Sequence, residues 1–343
     1  MDGPMALAER DGELAVIHEV LAAAAAGRGV AVLVEGPPGI GKTALLATAG
    51  EDAVRLGFRM LGSVGGELER DLPFAIVRQL FEPPLRAASA RGVDLLTGAA
   101  RLAAPVFGHG DLGHGDAGGA QAAHGDVVYG MYWLCANLAE SGPLLLMVDD
   151  AHWADGASLR FLSHLSRRIA DLPVVLLLAG RPGRVLDPLV GGALGGVAPR
   201  TVRLRPLSTA AVGTVVRRDL SAEADDEFCR ACSVATGGNP FLLAEALTSL
   251  RENGIRPIAT EARRVEYLRA DTISRAVLTR IARLGPDAVR FARALAVLGA
   301  AAELRHVAAL AGLPVDAAAT VADELARESI VTATRPLGFV HPL

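Results

Sequence analysis

The chain has 343 residues, 51% hydrophobic and 21% charged, which allows two or three domains with a large core and excludes a disordered polypeptide. A net charge of −4 argues against nucleic acid as a direct partner, and three cysteines are too few for a disulfide framework. No apolar run reaches the roughly 20 residues that cross a bilayer, and MDGPMALAERDGEL has acids where a signal peptide is basic, so a cytoplasmic protein with no membrane partner is expected.

Residues 11–26 read as a helix, and Ala31 to Glu35 as a short apolar strand. Next comes Gly36-x-x-x-x-Gly41-Lys42-Thr43, the spacing of a phosphate-binding loop, and then a helix from Thr43 to about Arg55. Phe58 to Val64 suggests a second strand and Pro73 to Leu85 another helix. Residues 108–126, GHGDLGHGDAGGAQAAHGD, read as a flexible insertion; His109, His114 and His124 suggest a metal site, but the surrounding glycines give it no rigid geometry. Helix resumes from Val127 to Glu140, and Leu144 to Val148 is a strand ending in Asp149-Asp150. Asp155 opens a helix, Val174 to Ala179 is a buried strand ending at Gly180-Arg181, and Thr201 to Leu204 is one more. Strands apolar on both faces and alternating with helices predict an α/β fold, a parallel sheet with helices on either side.

The pattern changes after Pro206, where helices are punctuated by Gly237-Gly238, Pro240, Gly254 and Pro286. Ser208 is an N-cap candidate, and SIVTATRPLGFVH predicts two short strands about a turn. Cys229 and Cys232 have redox or half-zinc spacing, but no second pair exists, so two thiols on a packed helix are expected. The division is 1–205 for the α/β domain, 206–260 for a helical lid and 261–343 for a winged helix.

The candidate nucleotide-binding segment is Gly36, Pro37, Pro38, Gly39, Ile40, Gly41, Lys42, Thr43 and Ala44, in which the N–H groups present between Gly36 and Lys42 can converge on phosphate oxygens. Lys42 is the only lysine in a chain with 34 lysine and arginine residues, as expected where a slim ammonium must reach the phosphates. Thr43 and Asp149 are candidate Mg²⁺ ligands, Asp150 the candidate base for an attacking water, and Arg181 the candidate sensor of the γ-phosphate. Asp is shorter than the Glu that many hydrolysing proteins use, which implies slow hydrolysis. His152 and Trp153 either couple this site to a lid or pack beneath it.

ERDGEL, GPPGIGKT, GELERDLPFAIVRQLFEP, LLLMVDDAHWADGASLRFL, ATGGNPFLL and GFVHPL occur in that order. Together they resemble the ATPase portion of the large ATP-binding LuxR-family regulators of actinobacteria, which belong to the STAND branch of AAA+ P-loop ATPases. The resemblance runs from about Ala6 to Leu343 and implies a P-loop domain, a helical lid and a winged helix that clamps ADP. It implies that Pro240, in Gly238-Asn239-Pro240, lies against adenine, that Arg10 and Asp11 flank the base, and that His341 touches the β-phosphate. Glu9 stands where many relatives have glycine. Such regulators continue into a sensor and a DNA-binding helix-turn-helix; this chain stops at Leu343, as a truncated regulator, an excised piece or a stand-alone ATPase would.

The expected function is an ATP/ADP switch with slow hydrolysis, self-associating on ATP and reaching DNA only through the missing helix-turn-helix. Within 316–329 four acids face Arg327 alone, so direct DNA binding is not expected. The alternative is an oligomeric AAA+ motor or remodeller, for which Arg167 and Arg168 are candidate arginines toward a neighbouring subunit. A small-molecule kinase would need an acceptor pocket that no motif supplies.

Overall fold

The computed structural model describes residues 7–66, 69–108, 117–182, 199–265, 278, 280–299, 302–328, 330–331 and 337–339, with backbone alone for 117–124 and 327. The chain divides into two compact units. The first comprises Arg10–Gly36 and Lys42–Leu204; the second comprises Met1–Glu9, Pro37–Gly41 and Arg205–Leu343.

The first unit is built on five parallel strands in the order β2-β3-β4-β1-β5. They are β1 (Val30–Glu35), β2 (Arg59–Val64), β3 (Leu144–Asp149), β4 (Val174–Gly180) and β5 (Arg200–Arg203). Every residue of β4 is buried, whereas edge strands β2 and β5 each keep residues exposed to water. Central strands buried on both faces explain the unbroken apolar runs in the sequence.

Helices α1 (Asp11–Ala25) and α2 (Lys42–Arg55) cover one face of the sheet. Helices α3 (Ala75–Ser89), α4 (Ala117–Ala139) and α5 (Gly156–Arg168), with a 3-10 helix at Gly98–Phe107, cover the other. There Leu33, Leu146 and Leu176 meet Phe81, Leu134 and Phe161 in one core, each large side chain contributing roughly 1.5–3 kcal/mol by its burial. Phe81 and Phe161 meet edge to face, ring centroids 5.8 Å apart.

Three elements differ from expectation. Helix α3 runs to Ser89, four residues past Leu85, with Pro83 and Pro84 inside it. Two lost N–H donors weaken that helix, but its buried face, Ile76, Val77, Leu80 and Phe81, holds it by packing. Helix α4 starts at Ala117, inside the stretch expected to be a flexible insertion, because alanines there favour helix despite the glycines. Residues 109–116 and the side chain of His124 lie outside the described residues, and with them the imagined metal site. The 3-10 helix was not foreseen.

Asp155 joins two of these helices. Only 2% exposed, its Oδ1 accepts from Ala157 N (3.1 Å) and Ser158 N (2.9 Å), which caps α5, and from Phe74 N (2.8 Å) at the start of α3. Phe74 has φ +63°, a left-handed conformation rarely taken by a bulky residue and fixed here by that bond and by burial.

In the second unit α6 (Thr209–Asp219), α7 (Asp226–Thr236) and α8 (Pro240–Glu252) share a core through Val212, Phe228 and Leu247. The Ser208 hydroxyl caps α6 by accepting from Ala211 N at 3.1 Å. Cys229 and Cys232 are buried on α7, and desolvation pushes the Cys232 thiol up to about 12. Helices α9 (Pro286–Leu298), α10 (Leu304–Ala311) and α11 (Val315–Arg327) form another core around Phe291, Val307 and Leu325. The expected C-terminal strands are seen as isolated antiparallel bridges, Ala302 with Leu337 and Val331 with Phe339. Among the described residues, no helix is long and apolar enough to cross a membrane.

Candidate nucleotide site

The sheet order brings three strand ends together. Glu35 is in register with Gly180, and Leu178 with Val148, so β4 lies between the strand leading to the loop and the strand bearing the aspartates. Gly36, Arg181 and Asp149-Asp150 therefore follow one another along the same edge. This is where a parallel α/β sheet binds its ligands.

After β1, the loop turns through Gly39 (φ +75°) and Gly41 (φ +100°), conformations that a side chain would strain. Ile40 between them is buried. Lys42 begins α2, is 7% exposed and donates from Nζ to Gly36 O at 2.9 Å, an arrangement that fits a compact ammonium. Thr43 and Ala44 follow in the first turn of α2, whose positive end favours anions. Thr43 Oγ1 donates to Asp149 Oδ2 at 2.6 Å, while Asp149 Oδ1 accepts from Asp150 N at 2.8 Å. A hydroxyl beside a carboxylate is the hard oxygen set that Mg²⁺ takes, so these residues fit the metal expected of them.

Asp150 has φ +46°, and its side chain is 45% exposed. Desolvation and the neighbouring Asp149 raise its carboxyl above the ordinary value, and Lys42 and Arg181 oppose them. His152 is 10% exposed, with Nδ1 3.8 Å from Asp150 Oδ1, beyond hydrogen-bond reach. Neither ring nitrogen has a partner among the described residues. Burial, Arg181 and Lys42 hold its pKa down to about 3, so the imidazole is neutral at physiological pH. The sequence left its role open; the structure puts it beside the aspartates, with its ring 5.1 Å from that of Trp153.

The remaining candidates belong to other elements. Arg10 is 4% exposed and pairs with Glu13 at 3.7 Å just before α1. Pro240 is the first residue of α8, half-buried. His341 lies outside the described residues. Asn239, between Gly238 and Pro240, is a residue that sequence reasoning assigned no role. Its Oδ1 caps α8 through Phe241 N (3.1 Å) and Leu242 N (3.3 Å), and its Nδ2 donates to Pro38 O at 3.1 Å. An Asn before a helix-opening proline signals the cap, but nothing local signals the second bond.

The AAA ATPase domain family matches residues 6–178, half of the sequence. The chain belongs to the AAA ATPase domain family. An uncharacterized protein of Rhizobium meliloti (strain 1021) is 28% identical over 227 residues, which are 61% of this chain and 21% of that protein. The chain thus spans about a fifth of that relative's length. Among solved structures, the Walker-type ATPase of Pyrococcus abyssi has a TM-score of 0.57 at 15% identity, covering 98% of this chain and 94% of that one. The Aeropyrum pernix ORC1 protein, solved in complex with DNA, has a TM-score of 0.54 at 17% identity, covering 99% and 91%. Cdc6p from Pyrobaculum aerophilum has 0.51 at 14%, covering 99% and 92%. At such identities these structures establish the AAA ATPase fold alone.

Proposed function

We propose that the chain is an ATP/ADP-binding switch, the regulatory ATPase part of a LuxR-type transcriptional regulator, in which slow hydrolysis resets the bound state. The carrying observation is the Thr43–Asp149 hydrogen bond at the foot of a loop closed by Lys42. Lys42 and the loop N–H groups neutralise phosphate charge, and Thr43 and Asp149 would hold Mg²⁺, which would supply further positive charge against the phosphates when bound. Asp150 takes the proton of an attacking water, and Arg181 contacts the γ-phosphate that distinguishes ATP from ADP. Only interactions that differ between the two nucleotides shift a conformational balance.

The STAND-like motifs support the regulatory part of this reading. Three helices and two antiparallel bridges over 286–339 support a winged helix, and α6 to α8 a helical lid. Arg10, Pro240 and His341 are proposed around the base and the β-phosphate. Direct DNA contact by α11 is not part of the proposal, because Asp316, Asp323 and Glu324 make that helix acidic.

Titration of the purified chain with fluorescent ADP and ATP, with and without Mg²⁺, tests the reading. Micromolar or tighter uptake that Lys42→Ala abolishes is expected, and no uptake by the parent chain overturns the proposal. The rival motor is favoured by the exposed Arg167 and Arg168 at the end of α5. Closed rings on ATP, with turnover above about one per second, would establish it instead.

A further inference from the structure

We infer that Asn239 is a positioning residue for the phosphate-binding loop, joining the loop's shape to the first turn of α8. The inference rests on the nucleotide-binding reading above and deepens it.

Four hydrogen bonds in the second unit carry it. Asn239 Nδ2 donates to Pro38 O at 3.1 Å, and Phe241 N donates to Gly39 O at 3.1 Å. Two successive loop carbonyls are thereby turned onto α8. Asn239 Oδ1 accepts from Phe241 N (3.1 Å) and Leu242 N (3.3 Å). One face of the amide must donate and the other must accept, so its orientation is fixed by its partners. A Cβ on Gly39 would lie 2.9 Å from Asn239 Oδ1 and 2.9 Å from Phe241 Cβ, so the loop is glycine here for close approach as well as for its φ of +75°.

Asn239 is itself rigidly placed. A Cβ on Gly238 would lie 2.3 Å from Leu207 O, and Leu207 N donates to Gly238 O at 2.8 Å. Pro240 fixes the backbone on the other side at the first position of α8. Each residue of Gly238-Asn239-Pro240 thus serves to hold one amide against the loop. With the Pro38 and Gly39 carbonyls engaged, phosphate meets N–H donors rather than oxygens at this part of the loop. Asn239 acts through the loop, both ends of its amide being taken up by Pro38 O and the first turn of α8.

Asn239→Asp separates the two roles of the amide, because a carboxylate caps a helix as well as an amide does but presents an acceptor to Pro38 O. Asn239→Ser also keeps a cap and removes the amide NH₂ that reaches Pro38 O, its shorter hydroxyl being taken up by the cap. Both purified variants are titrated with fluorescent ADP with and without Mg²⁺, alongside thermal melting. Asn239→Asp should bind ADP about tenfold more weakly and Asn239→Ser about fivefold, with melting close to the parent's. The ratio of affinities with and without Mg²⁺ should be unchanged, since the metal ligands are untouched, and amide hydrogen exchange of Ile40 to Lys42 should quicken. Affinity within twofold of the parent in a folded Asn239→Asp variant overturns the inference and leaves the nucleotide reading standing. If that variant does not fold, Asn239→Ser decides on the same criterion. A parent chain that binds no ADP removes both.

Discussion

Thr43 Oγ1 and Asp149 Oδ2 lie 2.6 Å apart, across 106 residues of sequence. A hydroxyl from the start of α2 and a carboxylate from the end of β3 are brought together by the packing of that helix against that strand.

Thr43→Val and Asp149→Asn should each remove most of the gain in nucleotide affinity that Mg²⁺ confers, by about 10–100-fold, and leave metal-free ADP binding within threefold. Paired titrations measure this. An undiminished Mg²⁺ effect in both variants would take the metal away from these residues.

Asp150→Asn should slow single-turnover ATP hydrolysis about 100-fold and leave nucleotide affinity nearly unchanged. Asparagine tolerates the left-handed backbone at this position, so the fold is preserved. Rapid-quench rates that match the parent's would remove Asp150 from the chemistry.

Asp155→Ala should destabilise the α/β unit by about 3 kcal/mol, through loss of a helix cap and exposure of Phe74 N as a buried unpaired donor. Denaturant unfolding measures this directly. A loss below about 1 kcal/mol would mean that Phe74 finds another acceptor.

His164 gives an acid limb to stability. Burial and the adjacent Arg168 and Arg167 lower its pKa from 6.5 to about 4, and the edge of the Tyr132 ring packs against it. A folded pKa below the unfolded one means that the unfolded chain binds the extra proton, so stability is complete above pH 6.5 and falls as pH drops toward 4. His152, lowered to about 3, acts in the same window. His164→Gln should flatten the decline between pH 6.5 and 4; melting curves as steep as the parent's in that range would contradict this.

The alternation of strand and helix was readable because buried strands such as β4 leave unbroken apolar runs, and the turn between β1 and α2 because its glycines mark backbone that a side chain would strain. Strand order was not readable. Nothing local to Val174–Gly180 says that it inserts between β1 and β3, because both its faces are apolar and so mark no neighbour. Asp155 could be read as a cap, but its bond to Phe74 spans 81 residues. The start of α4 was hidden by glycines that usually break helices. Asn239 escaped notice for a related reason, since a cap leaves a sequence signal and a long-range amide bond leaves none.

The strand that leads to Arg181 has no solvent face, and it is laced to a neighbour on each side. Its last residue, Gly180, is still paired with Glu35, so the chain that goes on to Arg181 leaves from a fixed point in the sheet. A reporter attached just beyond that point would be anchored at its root by the backbone of the strand.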